Sequence, residues 1–402
     1  MLAAAKKMLE QYAPTEIVFG ENAFDRLERE IRDRSAKRVL LITGGNHSFV
    51  QSGAAEAFDA LWKKCGLEPQ VFSGVPAEPD VEVIRSIVKK MAETDPELVV
   101  AIGGGSVLDA AKAAYLSCQT ELDVIELFGA GVASKKFPGR MFRRVICMPT
   151  TSGTGSEITP YSNIVNKEKN LKYIIVDQQI VPALALIDPR LTASMGRELT
   201  AATALDAMTH SIESLLNFRA KNADPAAEDW ALMSVKLIRN VLPCAEKAES
   251  RAMLSAAAAL GGMCIACRPT ALPHLCSYSM WGKVPHGLAV ALLLPHFWRY
   301  YLAGGTPEIA AQTMKLNGIF AGATPEEVVL SCEKFIAEVS PYNRLSELED
   351  FDSAMVEKIA ADAVLNPVKL QTAPRPVAPE EAETLIREIL RKAFYEDHSC
   401  TG

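Results

Sequence analysis

The sequence predicts an α/β domain built on a parallel sheet, followed by an all-α domain. Three observations predict it. Through the first half, short β-branched runs alternate with longer helical patterns, and that alternation puts helices on both faces of a parallel sheet. Beyond about Leu191 the text becomes alanine-rich at helical spacing, without a convincing strand. The 402 residues also exceed what one ordinary core holds, so two domains are the natural division. Asp188-Pro189-Arg190, where a proline ends the last strand-like run, marks the expected boundary, giving residues 1–190 and 191–402.

The elements follow in order. The opening MLAAAKKMLEQYAP reads as an amphipathic arm or short helix, and its lack of an apolar signal core argues against secretion. Arg38-Val-Leu-Leu-Ile-Thr43 is a buried strand, leading through Gly44-Gly45 into a helical stretch that ends near Cys65. Pro69 to Phe72 is a second strand, and Val81 to Ala92 carries apolar residues at helical spacing. Leu98-Val-Val-Ala-Ile102 is a third strand that runs directly into Gly103-Gly104-Gly105-Ser106 and a helix. Arg144-Val-Ile-Cys-Met148 is a fourth, ending in Pro149-Thr150-Thr151. Then come three helical runs: TAATALDAMTHSIESLLN, AEDWALMSVKLIRNVL and RAMLSAAAALGGMCIA.

Composition excludes several classes. With 49% hydrophobic and 23% charged residues the chain is of globular type. A net charge of -7 and a pI near 5.6 argue against a nucleic-acid partner, which needs a basic face. No run reaches the ~20 uncharged apolar residues of a membrane helix. Nine cysteines, an odd number without a framework, suggest reduced thiols and a cytoplasmic setting. Cys264 and Cys267 form a C-x-x-C pair, but there is no second pair for a zinc ribbon, so they are expected to be plain thiols.

Three motifs carry chemistry. The glycines Gly103 to Gly105 between a strand and a helix permit close backbone approach, and the helix start offers free N–H groups to a pyrophosphate. A merely structural tight turn is the alternative. Pro149 to Glu157 packs five hydroxyl residues and two glycines after a strand, where ligands bind in open α/β sheets; an ordinary polar loop is the alternative. Asp206 and His210 are four apart in a helical pattern and so share a face. With His274 and His286 they offer one carboxylate and three imidazoles to a divalent transition metal. Histidines taken singly are more often core or surface residues. Of six histidines, His47, His296 and His398 are not assigned as ligands, although His296 sits near enough in sequence to line the site.

With these motifs in place the sequence resembles the iron-containing (group III) alcohol dehydrogenases, from Tyr12-Ala-Pro-Thr-Glu-Ile-Val-Phe-Gly20 to Asn366-Pro367. The carrying runs are Gly103-Gly-Gly-Ser-Val-Leu-Asp-Ala-Ala-Lys112, Pro149-Thr-Thr-Ser-Gly-Thr-Gly-Ser-Glu157, Thr200-Ala-Ala-Thr-Ala-Leu-Asp-Ala-Met-Thr-His210 and Pro285-His-Gly287. The resemblance implies an N-terminal Rossmann-like domain facing a helical domain, with metal and nicotinamide in the cleft between. It implies metal ligands at Asp206, His210, His274 and His286, holding Fe2+ or Zn2+. Cofactor contacts, to NAD(H) or NADP(H), are expected at Gly44, Gly104, Gly105, Ser106, Asp109, Thr150, Thr151, Thr154 and Lys172. A homodimer or larger assembly is expected by the same analogy. Two departures stand out. Tyr278 occupies the position where many members carry a second histidine, and the run to Pro285-His286 is about two residues shorter than usual. Gly196 and Ala204 stand where proline and glycine are frequent.

The implied activity is alcohol dehydrogenase or aldehyde reductase, on a small alcohol/aldehyde pair. Tyr278 is a candidate proton donor, with an aromatic wall of the substrate pocket as its competing role. No carboxylate follows the first strand in residues 42–48, so NADP(H) is expected to be tolerated. The His274-Leu-Cys-Ser-Tyr278 run is similar to a subgroup that reduces small anionic aldehydes such as sulfoacetaldehyde or phosphonoacetaldehyde. Arg268 is the candidate to face such an anion, or else a surface or interdomain salt-bridge residue. Two rivals remain: a lyase similar to dehydroquinate synthase, whose usual metal set of one glutamate and two histidines differs from this one, and a non-catalytic binding relative.

Overall fold

The computed structural model describes residues 1–220, 224–348 and 351–395. His398 and Cys400 lie outside the described residues, as does the side chain of His47.

Among the described residues, nine strands form two sheets. β1 (Glu16–Phe19), β2 (Val39–Thr43), β3 (Gln70–Phe72), β4 (Leu98–Gly103), β6 (Ile146–Pro149) and β9 (Leu184–Ile187) make an all-parallel sheet in the order β1-β9-β6-β4-β2-β3. β5 (Gly129–Ala130), β7 (Tyr161–Asn166) and β8 (Leu171–Val176) form a small sheet beside it, with β7 and β8 antiparallel. The four strands delimited from sequence are present, and β9 is the strand-like run expected to end at Pro189. The edge strand β1, the short β5 and the β7–β8 hairpin are additions.

The large sheet separates two cores by side-chain alternation. Leu40, Ile42, Val99 and Ala101 face a core completed by the helix Gly105–Thr120 and the helix Val81–Thr94. Val39, Leu41, Val100 and Ile102 face the opposite core, covered by the helices Ala23–Asp33 and Ala54–Cys65. A period of two along doubly covered strands gives this pattern. The helical stretch expected up to Cys65 is broken in two at Gly53, which takes φ +80.

From β2 the chain passes to β3 on one side, then returns to β4 on the other. This reversal is a topological switch point, where crevices open at the carboxyl ends of strands. Here those ends are Thr43 and Ile102, paired in register, followed by Gly44 and Gly103.

No strand occurs after Ile187 among the described residues. The helices Arg197–Leu216, Ala227–Val241, Ala248–Cys267 and His286–Ala303 pack around a third core. The helix Ala248–Cys267 is long and apolar enough to cross a membrane, but 78% of its most apolar stretch is buried by its neighbours. The N-terminal helix Leu2–Glu10 sends Ala5 and Leu9 into this same core. Both halves of the chain therefore share contacts at their seam.

Candidate metal and cofactor site

The helix Arg197–Leu216 is buried almost all round, so the side chains at Asp206, His210 and Glu213 face neighbouring helices rather than solvent. Its neighbour His286–Ala303 comes so close that a β-carbon on Gly287 would stand 1.9 Å from the Ala202 carbonyl oxygen. Glycine there lets His286, at the first turn, reach Asp206.

Three imidazoles converge on one oxygen. Nε2 of His210, His274 and His286 lies 3.4, 3.4 and 3.6 Å from Asp206 Oδ1. These separations are long for hydrogen bonds, and Asp206 Oδ1 and His274 Nε2 are buried without a hydrogen-bond partner. Ligands held at ~2.0–2.2 Å by a tetrahedral ion lie ~3.3–3.6 Å apart. The orphaned atoms thus have the spacing of a coordination shell, and the residues fit a divalent ion. One donor atom each from Asp206, His274 and His286 lies within 4.8 Å of the others. His210 stands slightly outside that mutual cluster. Its place rests on the Asp206 contact and on its ring, which stacks on His274 with centroids 4.7 Å apart.

Electrostatics favours the same reading. Burial pushes the His210 imidazole down to about 4 and His286 down to about 3, so both are neutral and ready to donate a lone pair at pH 7. Burial alone would raise the Asp206 carboxyl, but the facing imidazoles outweigh it and hold it below the usual range. His274 goes the other way. Burial would lower it, yet Glu213 and Asp206 raise it to about 9.

Glu213 was not among the residues expected from sequence. It is fully buried, its Oε2 pairs with His274 Nδ1, and its Oε1 accepts from the Ala271 backbone N–H at 2.8 Å. A carboxylate behind a ligating histidine fixes its tautomer and raises its basicity. The signal lay in the spacing: Glu213 is three residues after His210 and seven after Asp206, on one helix face. Ser277 serves His286 similarly, with Oγ 3.2 Å from its Nδ1.

The glycine turn and the hydroxyl loop pack into one cradle. Gly104 N-caps the helix Gly105–Thr120, which no side chain caps. A β-carbon on Gly104 would lie 3.3 Å from Thr151 Cγ2, and one on Gly105 would lie 2.6 Å from Thr154 Oγ1. The Thr150 N–H donates to the Gly103 carbonyl at 2.9 Å. Gly44, at the neighbouring strand end, receives the Gly74 N–H at 3.2 Å. The uncapped helix start and the open backbone fit a dinucleotide's phosphates. Ser106 Oγ accepts from the Glu78 N–H, and Glu78 Oε1 accepts from Lys172 Nζ at 2.8 Å. The charge on Lys172 is also felt at His286, so this end of the cradle adjoins the metal cluster. Asp109 stands apart from the others: its buried carboxylate is taken up by Ser156 Oγ and by the Asn163 N–H.

Tyr278 begins a short 3-10 turn four residues after His274, half-buried, with Lys369 Nζ 5.0 Å from its ring centroid. Arg268 is buried at the end of the helix Ala248–Cys267.

Residues 14–189 match the family model for iron-containing alcohol dehydrogenase, and residues 200–393 match the model for the C-terminal region of the Fe-containing alcohol dehydrogenase family. The chain belongs to the iron-containing alcohol dehydrogenase family. An alcohol dehydrogenase of Thermococcus barophilus is 30% identical over 401 residues, covering 95% of this chain and 98% of that protein. An NADPH-dependent butanol dehydrogenase of Clostridium saccharobutylicum is 28% identical, covering 81% and 82%. The solved structure of an iron-containing alcohol dehydrogenase from Thermococcus thioreducens superposes with a TM-score of 0.81 at 28% identity, covering 94% and 99%. This family member is thus an oxidoreductase acting on CH–OH groups, using a metal and a nicotinamide cofactor.

Proposed function

We propose that the chain is a metal-dependent, NAD(P)H-linked reductase of a small aldehyde, also acting as dehydrogenase of the matching alcohol. The observation that carries this reading is the convergence of three imidazole Nε2 atoms on Asp206 Oδ1 at 3.4, 3.4 and 3.6 Å. When bound, the ion supplies Lewis acidity at the carbonyl oxygen and the nicotinamide supplies the hydride. Asp206, His210, His274 and His286 hold the ion, Fe2+ or Zn2+, and Glu213 keeps His274 in the ligating tautomer. Gly44, Gly104, Gly105, Ser106, Thr150, Thr151 and Thr154 bind the dinucleotide, with Lys172 at the end nearest the metal. Asp109 supports that cradle from below, by bracing Ser156 and Asn163. Residues 1–190 and 191–402 act as two walls of one cleft, which excludes water from the reacting atoms.

Tyr278 is the group in this reading that returns a proton to the product oxygen. No described residue hydrogen-bonds its hydroxyl, which leaves that hydroxyl available to substrate. The eight described cysteines are unpaired, Cys264 and Cys267 included, which supports a reducing cytoplasmic compartment. A homodimer belongs to the same reading. The absence of a carboxylate after β2 supports use of NADPH as well as NADH.

The test is metal content of anaerobically purified protein, paired with NADH and NADPH oxidation on neutral and anionic C2–C4 aldehydes. About one Fe or Zn per chain is expected, with aldehyde-dependent turnover that disappears in His286→Ala. A protein that takes up no metal and turns over no aldehyde after Fe2+ is restored would overturn the proposal.

A further inference from the structure

The helical half holds a cavity of about 280 Å³ that none of the residues assigned above lines. Three helix ends meet there. Arg197 and Thr200 come from the start of the helix Arg197–Leu216, Arg251 from the start of the helix Ala248–Cys267, and Glu338 and Val339 from the end of the helix Pro325–Val339. Met195, Leu242 and Val339 supply apolar surface to the same cavity. Its size is at the small end of ligand pockets, which begin at ~300 Å³.

Arg251 makes this cavity more than a packing gap. It is 7% exposed, its Nη1 donates to Thr200 Oγ1 at 2.6 Å, and its Nη2 donates to the Met195 carbonyl at 2.9 Å. Its Nε is buried with no acceptor. Among the described residues no carboxylate stands within ion-pair distance of it. A cation taken out of water is strongly unfavourable unless it is paired and hydrogen-bonded. Burial lowers the Arg251 pKa, and the charge of Glu246 opposes that without reaching contact.

The helix ends add charge of both signs. No side chain caps the helix Arg197–Leu216, and a β-carbon on its N-cap Gly196 would meet nothing within 4 Å. Its first N–H groups and the positive end of its dipole therefore lie open beside Arg251 and Arg197. Glu338 sits in the last turn of the helix Pro325–Val339, at the negative end of that dipole, where no basic residue answers it. Glu246 is a second exposed carboxylate in the lining. Among the described residues neither glutamate has a hydrogen-bond or ion-pair partner. Two cations and a helix start face two carboxylates and a helix end, with apolar surface in the same lining. A bare oxyanion would satisfy Arg251 but meet both glutamates as like charges.

We propose that this cavity binds a small zwitterion with an apolar body, of the class of a free aliphatic α-amino acid. The carboxylate docks on Arg251 and the first turn of the helix Arg197–Leu216, and the ammonium faces Glu246 and Glu338. The site takes no part in hydride transfer, and the proposal does not rest on the reductase reading. Thr200 lies six residues before Asp206, ~9 Å along the same helix, so an occupant braces the start of the helix that carries Asp206 and His210.

The test is calorimetry on zinc-loaded protein, in phosphate-free buffer, with leucine, isocaproate (leucine without its amine) and isoamylamine (leucine without its carboxylate). Leucine is expected to bind. Isoamylamine should bind about 10- to 100-fold more weakly, the loss of a hydrogen-bonded charge contact. Isocaproate should bind about 2- to 5-fold more weakly, the size of an exposed ion pair. Arg251→Gln should weaken leucine about tenfold or more, and the double variant Glu246→Gln/Glu338→Gln should bind leucine and isocaproate alike. Arg251 also braces Thr200 and Met195, so the glutamate variant, made at two exposed positions, carries the test where Arg251→Gln fails to fold. An amino acid can also chelate a bound metal, and His286→Ala separates the two sites: leucine binding kept there supports the cavity, and binding lost there places leucine on the metal and overturns it. No heat with leucine, or isocaproate binding at least as tightly in the parent, overturns the proposal. So does leucine affinity left unchanged by both the arginine and the glutamate variants. Inorganic phosphate that displaces leucine and binds more tightly would give the cavity to a bare oxyanion and sink the zwitterion.

Discussion

Glu213→Gln isolates the role of one buried carboxylate without changing its shape. In the parent, Glu213 Oε1 holds the Ala271 N–H at 2.8 Å while Oε2 pairs with His274 Nδ1. Glutamine keeps the first contact through its carbonyl oxygen and puts an NH2 group against the histidine. That group donates into Nδ1, so the ring proton moves to Nε2, the atom facing Asp206 at 3.4 Å. Coordination then requires either the wrong tautomer to reverse or the amide to turn and leave the Ala271 N–H without an acceptor. Either route weakens the ion. Groups that orient metal-bound histidines are typically worth ~10–100-fold in affinity, or about 1.4–2.7 kcal/mol. Chelator-competition titration of Zn2+, parent against variant, measures this directly, with thermal unfolding of the metal-free proteins as a control for the Ala271 contact. A metal affinity within about twofold of the parent would refute the reasoning, and Glu213 would then be only a structural acceptor for Ala271.

Two further expectations follow from the cradle. In Gly105→Ala the new β-carbon would stand 2.6 Å from Thr154 Oγ1 and 2.7 Å from its Cγ2, prying the glycine turn from the hydroxyl loop. Fluorescence titration should show NADH and NADPH binding weakened by about tenfold or more, with metal content unchanged; unaltered binding would take this turn out of the cofactor site. Glu157, buried in the same loop, is raised by burial from the ordinary 4.5 to about 7. A carboxyl raised in the folded state stabilises relative to the unfolded chain only below its unfolded pKa, and folding loses that advantage as pH rises from 4.5 through 7. Glu157→Gln should therefore gain stability over the parent at pH 8, by at most about 3 kcal/mol, and little at pH 4.5. Denaturant unfolding at both pH values checks the sign, and an equal effect at both would remove the titration.

The parts of the fold legible in the sequence were those with a strong local period. β2 and β4 are continuous apolar runs because both faces are covered, and the alanine-rich helices announce close packing. β1 is four residues long and pairs only with β9 at the sheet's edge, so it offers too few residues for a period to register, whereas the equally short β9 is marked by the proline that ends it. The β7–β8 hairpin was missed for another reason: Tyr161-Ser-Asn-Ile164 mixes polar and apolar residues because the Asn163 side-chain amide donates to Asp109 Oδ2 and the Tyr161 hydroxyl donates to the Ile265 carbonyl. At the candidate site, residue types with few structural uses, histidines and clustered glycines, were visible in one dimension. Glu213, Glu78 and Lys369 were not. Glutamate and lysine are common on surfaces, and only the folded chain reveals that Glu213 is sealed behind His274 while Lys369 leans on Tyr278.

What joins the glycine-turn cradle to the Asp206 cluster is backbone contact rather than a chain of long side chains. The hydroxyl loop is wedged between the sheet and the helical half. A β-carbon on Gly155 would meet the Gly262 Cα at 2.5 Å, and one on Gly153 would meet the Thr203 carbonyl oxygen at 2.7 Å. Ser152 and Ser255 hydroxyls join at 3.0 Å across the same seam. Thr203 lies three residues before Asp206, so the loop that faces the glycine turn also touches the helix that carries Asp206. Hydride transfer requires its two carbons within ~3.5 Å, and misplacement by ~1 Å costs about 100-fold. Contacts between backbones have little freedom to relax, whereas lysines or arginines spanning the same gap would each keep several rotatable bonds. The small residues of this loop therefore have two physical tasks. They pack against the glycine turn on one side, and on the other they fix how far that turn stands from Asp206.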